Sequence, residues 1–125
     1  MKRMFGYCAA AALALSLSAA AGAQPPGAWV LGQWHGGNYW FPGVVVAHRG
    51  NLVTIRYDDG TSETGPERQV RPYDWHVGSR VSCFYTNGRW YAARITAMDP
   101  GGALISVLYD DGDTQITHTG RCRSE

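Results

Sequence analysis

Hydrophobic and polar residues alternate with a period of two through most of the chain beyond residue 28. In "GVVVAH", "NLVTIRY", "AARITAM" and "ALISVLY" β-branched residues predominate, and successive side chains would face opposite sides of a sheet. Clusters of turn formers separate these runs: Gly36-Gly37-Asn38, Arg49-Gly50-Asn51, Asp59-Gly60, Asn87-Gly88, Pro100-Gly101-Gly102 and Asp111-Gly112. The pattern predicts strands over 29–34, 40–48, 51–58, 61–65 and 70–72, then over 80–85, 90–98, 104–109, 113–117 and 121–123. No helical period appears in this region. Short antiparallel strands in groups of five close into small barrels, which hides their edges.

The two groups of strands are copies of one another. Placing Trp40 on Trp90 aligns "YWFPGVVVAH" with "RWYAARITAM" at an offset of 50. After a two-residue insertion at Pro100–Ala103, "LVTIRYDDGTSET" aligns with "LISVLYDDGDTQI" at an offset of 52. At the ends of this alignment Leu31 falls on Val81, Trp34 on Phe84, Val70 on Cys122 and Arg71 on Arg123. The chain therefore reads as a tandem repeat with "RPYDWHVG" (71–78) as the joint. The expected division is a linker at 24–28, a first barrel at 29–73 and a second at 74–125.

The first 23 residues have a different character. Lys2 and Arg3 precede an alanine- and leucine-rich run, and Ala21-Gly22-Ala23 supplies the small residues after which a signal peptidase cuts. The run is short for a membrane span of ~20 residues, and no stop-transfer charge follows it. Residues 1–23 are thus expected to be a cleavable signal peptide of bacterial type, the mature protein being periplasmic or secreted and without a membrane span. Removing them leaves nine arginines, no lysine and ten acids. A near-neutral chain without a basic run is a poor polyanion binder, so nucleic acid is not an expected partner.

The order of strand, aromatic, Gly/Asn turn, aromatic pair, long strand and "YDDG" turn resembles the Tudor and agenet-like group of SH3-like barrels. The resemblance spans nearly all of residues 29–123, and the duplication is similar to that of tandem Tudor proteins. It implies an all-β protein of two tandem five-stranded SH3-like barrels and a non-enzymatic binding role. It further implies an aromatic cage for a methylated amine, made in the first repeat by Trp34, Tyr39, Phe41, Tyr57 and Asp59. In the second repeat the corresponding set is Tyr85, Arg89, Tyr91, Tyr109 and Asp111, where one aromatic wall has become arginine. A resident cation opposes a second one, so the first repeat is the expected binding half and the second a secondary site. Aromatic faces attract an ammonium by about 0.5–2 kcal/mol per favourable contact without matched donors. A carboxylate at the rim adds charge attraction and favours ammonium groups that still carry N–H.

Plainer roles compete for the same residues. Tyrosine and tryptophan favour strands and fill small cores. Trp40 and Trp90, one residue away from the cage positions, belong on the opposite face, in a core or between repeats. Asp58, Asp59 and Asp110 also fit as hairpin residues, since Asp-Gly supplies a tight turn. A calcium site at "DDGD" lacks the remaining spaced acids. Cys83 and Cys122 fall on the first and last strands of the second repeat, neighbours in such a barrel. They are expected to form a disulfide that contributes about 3–4 kcal/mol through the unfolded state. The alternative is a metal site with His118, which lacks a fourth ligand. The four histidines are scattered and no nucleophile motif is present, so neither catalysis, a metal nor a cofactor is expected. The expected partner is a peptide or protein carrying a methylated or cationic group, or a cell-envelope component. Two other readings remain: an SH3-like module binding peptide or cell-wall material without cage selectivity, and a structural interaction protein.

Overall fold

The computed structural model describes residues 24–125; the signal segment expected over 1–23 lies outside them. The first repeat contains strands β1 (Trp29–Gln33), β2 (Trp40–Arg49), β3 (Leu52–Tyr57), β4 (Ser62–Pro66) and β5 (Val70–Pro72). The second contains β6 (Arg80–Phe84), β7 (Trp90–Met98), β8 (Leu104–Tyr109), β9 (Thr114–His118) and β10 (Cys122–Arg123). All ten lie within one or two residues of the spans that alternation predicts. They form two separate five-stranded antiparallel sheets, ordered β4-β3-β2-β1-β5 and β9-β8-β7-β6-β10. No ladder joins β4 to β5, or β9 to β10, among the described residues. Each sheet instead turns across that gap through one 3-10 turn, Glu67–Gln69 or Thr119–Arg121. A third 3-10 turn, Trp34–Gly36, follows β1, and these three turns are the exceptions to the expected absence of helical backbone.

The duplication extends to irregularities. The register of β2 on β3 slips between Val45 and Ala47, and that of β7 on β8 slips between Ile95 and Ala97. A bulge at the same place in each long strand increases its twist and lets a five-stranded sheet curl over its own core.

Pairing also corrects the alignment of the first strands. Trp40 faces Gln33 across its ladder, whereas Trp90 faces Phe84. The offset between β1 and β6 is therefore 51, because the first hairpin is one residue longer than its counterpart. Trp34 corresponds to Tyr85 and not to Phe84, Val30 rather than Leu31 corresponds to Val81, and Gly32 corresponds to Cys83. A slip of one residue moves a side chain to the other face of a strand. Val30 accordingly joins Val45, Val53, Ile55 and Tyr57 in the first core, while Leu31 points out of it.

That outward Leu31 is completely buried, because the second repeat covers it. It belongs to one cluster with Trp75, Val81, Ala93, Ile95, Ile105, Val107 and the two half-cystines. Burying a leucine in this way contributes about 1.5–3 kcal/mol, here to the docking of one repeat on the other. Polar contacts fix the same seam. Trp40 N–H donates to the Ser124 carbonyl at 2.7 Å, Ser124 N–H returns a bond to the Trp40 carbonyl at 2.9 Å, and Trp75 Nε1 donates to Ser124 Oγ at 3.2 Å. At the other end Thr119 Oγ1 donates to Asp58 Oδ2 at 2.5 Å.

Candidate binding site

Both repeats place their aromatics at the end of the sheet where the first and third hairpins meet. The "YDDG" turn does this by a fixed set of bonds: Tyr109 N–H donates to the Asp113 carbonyl at 2.8 Å and Gly112 N–H to the Tyr109 carbonyl at 2.9 Å. Gly112 sits at φ 99°, a conformation that glycine adopts without strain, and Gly60 at φ 94° does the same in the first repeat. The turn begins immediately after an inward-facing tyrosine, so the ring is buried while the acids that follow stand at the rim.

In the second repeat Tyr85, Tyr91 and Tyr109 form a closed set of three contacts. The ring centroids are 6.0 Å (85–91), 5.5 Å (85–109) and 6.4 Å (91–109) apart, with interplanar angles of 89°, 87° and 89°. Three mutually perpendicular rings make the corner of a box. They line a cavity of about 160 Å³ together with Asn87, Asp111 and Asp113. Asn87 Nδ2 donates to the Tyr91 hydroxyl at 2.8 Å, and the Tyr109 hydroxyl donates to Gln115 Oε1 at 2.5 Å, which fixes two of the walls. Burial, Tyr85 and the Asp111 carboxylate raise the Tyr109 phenol above its ordinary value, which keeps that wall neutral. Asp111 Oδ1 accepts the Asp113 N–H at 3.0 Å and thus serves turn and rim together. Asn87 and Asp113 were not among the sequence-derived site residues. Their signal lies in the loops themselves, both within two residues of an expected wall.

The first repeat is built differently. Trp34, Phe41 and Tyr57 are brought together, with Tyr57 5.6 Å from Trp34 and 6.3 Å from Phe41. The Trp34 ring also meets His35 edge-on, with centroids 4.2 Å apart, and Phe41 lies 6.4 Å from Trp90 of the other repeat. The cavity that touches Tyr57 measures about 10 Å³, at the lower limit for a single water. Tyr39 is elsewhere: the Arg123 guanidinium covers its ring at 3.7 Å. Asp59 accepts from Thr61 N–H at 2.9 Å and Thr61 Oγ1 at 2.7 Å, the turn role that competed with the rim role in the sequence. The acid against the rings is instead Glu63, which accepts from the Tyr57 hydroxyl at 2.9 Å and from His35 N–H at 2.7 Å. Burial and Glu63 push the Tyr57 phenol far above its ordinary value.

One substitution distinguishes the neighbours of the two buried tyrosines. A Cβ at Gly32 would stand 2.6 Å from the Tyr57 hydroxyl, so Tyr57 leans into space that only glycine leaves. Cys83 holds the equivalent place in the second repeat and is bonded to Cys122. Tyr109 is nonetheless as buried as Tyr57, and each hydroxyl donates to the side chain six residues on, Gln115 or Glu63. The expectation that open aromatic space lies in the first repeat is not what the geometry gives, because His35 packs on Trp34, Trp90 on Phe41 and Arg123 on Tyr39. Arg89, expected to fill a wall of the second cage, is exposed on the hairpin, its N–H bonded to Asn87 Oδ1 at 3.1 Å.

Cys83 and Cys122 form the disulfide expected of them, directly across the β6–β10 ladder. Bonded sulfurs are not free thiolates, which removes the alternative metal site with His118. Among the described residues no group of three His, Cys, Asp or Glu side chains is placed to hold a metal.

No known family model matches the chain, and no curated protein sequence does. Among solved structures it is similar to the crystal structure of ADCP1 tandem Agenet domain 3-4, at 18% identity, covering 82% of this chain and 80% of that one with a TM-score of 0.36. It is similar also to the crystal structure of Arabidopsis thaliana AGDP1 AGD34, at 20% identity, covering 82% of each chain with a TM-score of 0.36. The two sheets fit a tandem SH3-like arrangement. An overlay this loose transfers no residue from those structures to this one.

Proposed function

We propose that the chain is a binding module whose second repeat takes a methylated or otherwise cationic ammonium group, presented by a peptide or protein, between Tyr85, Tyr91 and Tyr109. The observation that carries this reading is the set of three mutually perpendicular tyrosines around open space with two carboxylates at the rim. The rings supply cation–π attraction, each contact contributing about 0.5–2 kcal/mol, and Asp111 and Asp113 add charge without a matched donor. A cavity of ~150 Å³ is known to hold one benzene-sized group, a scale that suits an alkylated ammonium. The first repeat, with Trp34, Phe41 and Tyr57 packed on each other, on His35 and on Trp90, acts as the supporting half. A formed disulfide fits an exported protein, and no helix among the described residues is long and apolar enough to cross a membrane.

A second reading, peptide binding without cage selectivity, is favoured by a groove of about 150 Å³ between the repeats, where half-exposed Trp29 meets Tyr73 edge-on at 5.8 Å beside Pro42 and Asp58. Calorimetric titration with a trimethyllysine peptide and its unmethylated counterpart separates the two. The cage reading expects preference for the methylated peptide, its loss in Tyr91→Ala, and retention in Trp34→Ala. Equal affinity for both peptides, or loss in Trp34→Ala alone, would end it.

A further inference from the structure

We propose that a second cavity, on the far side of the β6–β7 ladder from the tyrosine cage, binds an oxyanion through Arg123. This inference is independent of the ammonium reading. The cavity measures about 290 Å³ and is formed where Tyr39 of the first repeat leans over the outer face of the second. Its polar lining is Arg80, Arg123, Ser82, Ser124 and Glu125.

Arg123 is held in an unusual state. Its guanidinium lies 3.7 Å from the Tyr39 ring centroid and 4.0 Å from that of Trp90. Rings on both faces leave only the in-plane N–H groups to be satisfied by acceptors. Among the described residues Arg123 makes no ion pair, and its Nε is buried without a hydrogen-bond partner. A rigid guanidinium fork with unmet donors matches the geometry of a carboxylate or phosphate, which accept two parallel bonds. The sandwich also fixes the rotamers in advance, so little side-chain entropy remains to be lost on binding.

The surrounding charge favours the same class of ligand. Arg80 shares the cavity, with one NH2 engaged by Asp110 at 2.8 Å, and Arg94 is its register partner on the same sheet face. The acids nearby are Asp110, already engaged by Arg80, and Glu125, neither of which makes an ion pair with Arg123. The hydroxyls of Ser82 and Ser124 can each donate, although Ser124 Oγ also accepts from Trp75. Arg71, the counterpart of Arg123 in the first repeat, has the same buried, unpartnered Nε but stacks on one ring only, Trp40 at 4.3 Å, and provides an internal control for the double stacking.

The test is a titration of the full chain followed by ¹⁵N NMR of the arginine Nε–Hε groups, with inorganic phosphate in one arm and acetate in another. A third arm uses chloride at equal ionic strength. Saturable shifts at Arg123 with phosphate or acetate, and not with chloride, are expected, and the arm that saturates at lower concentration names the oxyanion preferred. Arg123→Lys, which keeps the charge but loses the fork, should weaken binding roughly tenfold or more. Arg71→Lys and Tyr91→Ala should leave it unchanged. Arg80→Gln, which leaves the stacked residues untouched, should weaken it severalfold and serves if Arg123→Lys does not fold. Linear shifts of equal size at Arg71 and Arg123, or the same shifts with chloride, would overturn the proposal.

Discussion

Reducing the Cys83–Cys122 bond should cost this small protein a large part of its stability. The bond closes a loop with a sequence separation of 39. The chain-entropy relation for a loop of this length gives about 13 cal/mol/K, or about 4 kcal/mol at 25 °C. A domain of this size commonly has only ~5–15 kcal/mol in total, so the loss is a substantial fraction of it. At about 4 °C per kcal/mol for ~100 residues, the expected fall in Tm is roughly 15 °C. Position adds a second effect. β10 is only two residues long, and it carries Cys122 into the second core, Arg123 against Tyr39 and Trp90, and leads into Ser124, which bridges to Trp40. Freeing β10 should therefore loosen the contact between repeats as well as the second core. The assay is urea unfolding of the oxidised protein, of the protein with a thiol reductant, and of Cys83→Ser/Cys122→Ser, followed by tryptophan fluorescence and far-UV dichroism. Coincident curves for oxidised protein, and a shift of roughly 3–4 kcal/mol in both altered forms, are expected. A difference below about 1 kcal/mol, well under that loop-closure value, would refute the reasoning.

Other expectations follow from single contacts. A Cβ at Gly120 would stand 2.8 Å from the Asp58 carbonyl carbon and 2.9 Å from its oxygen, so Gly120→Ala should cost about 1–3 kcal/mol by chemical denaturation, with the repeats pushed apart at that end. Leu31→Ala should cost about 2–5 kcal/mol although Leu31 lies outside its own repeat's core, because the second repeat buries it. His48 Nε2 lies 2.7 Å from Glu67 Oε2 and its Nδ1 3.0 Å from the Gln24 carbonyl; the Glu67 bond chiefly, then the Gln24 bond, raises its pKa above 6.5. The folded state thus binds the proton more tightly than the unfolded one. The resulting stabilisation is complete below pH 6.5 and disappears as pH rises through the higher folded value, a dependence that His48→Gln should abolish in denaturation curves recorded across that range.

Much of the architecture was readable because it is local. Alternation at a period of two and Asp-Gly or Asn-Gly turns depend on neighbouring residues, and they place all ten strands to within one or two positions. The duplication follows from the same patterns, and with it the pairing of Cys83 with Cys122 across the first and last strands of a sheet.

What a ring does at the end of such a sheet depends instead on register and on distant residues. One additional residue in the first hairpin moves Leu31 to the outer face, where the second repeat buries it. Tyr39 looks like a cage wall along the sequence, yet Arg123, 84 positions away, captures it through its ring face. Tyr57 and Tyr109 are equally buried, but Tyr57 is met by Trp34 and Phe41, which pack on His35 and Trp90, whereas Tyr109 is met by two tyrosines beside a cavity. The sequence determined which residue types gather at each end of each sheet, since backbone periodicity suffices for that. Tertiary packing decided which of the two gatherings is open, because open space is whatever the neighbouring side chains leave unfilled.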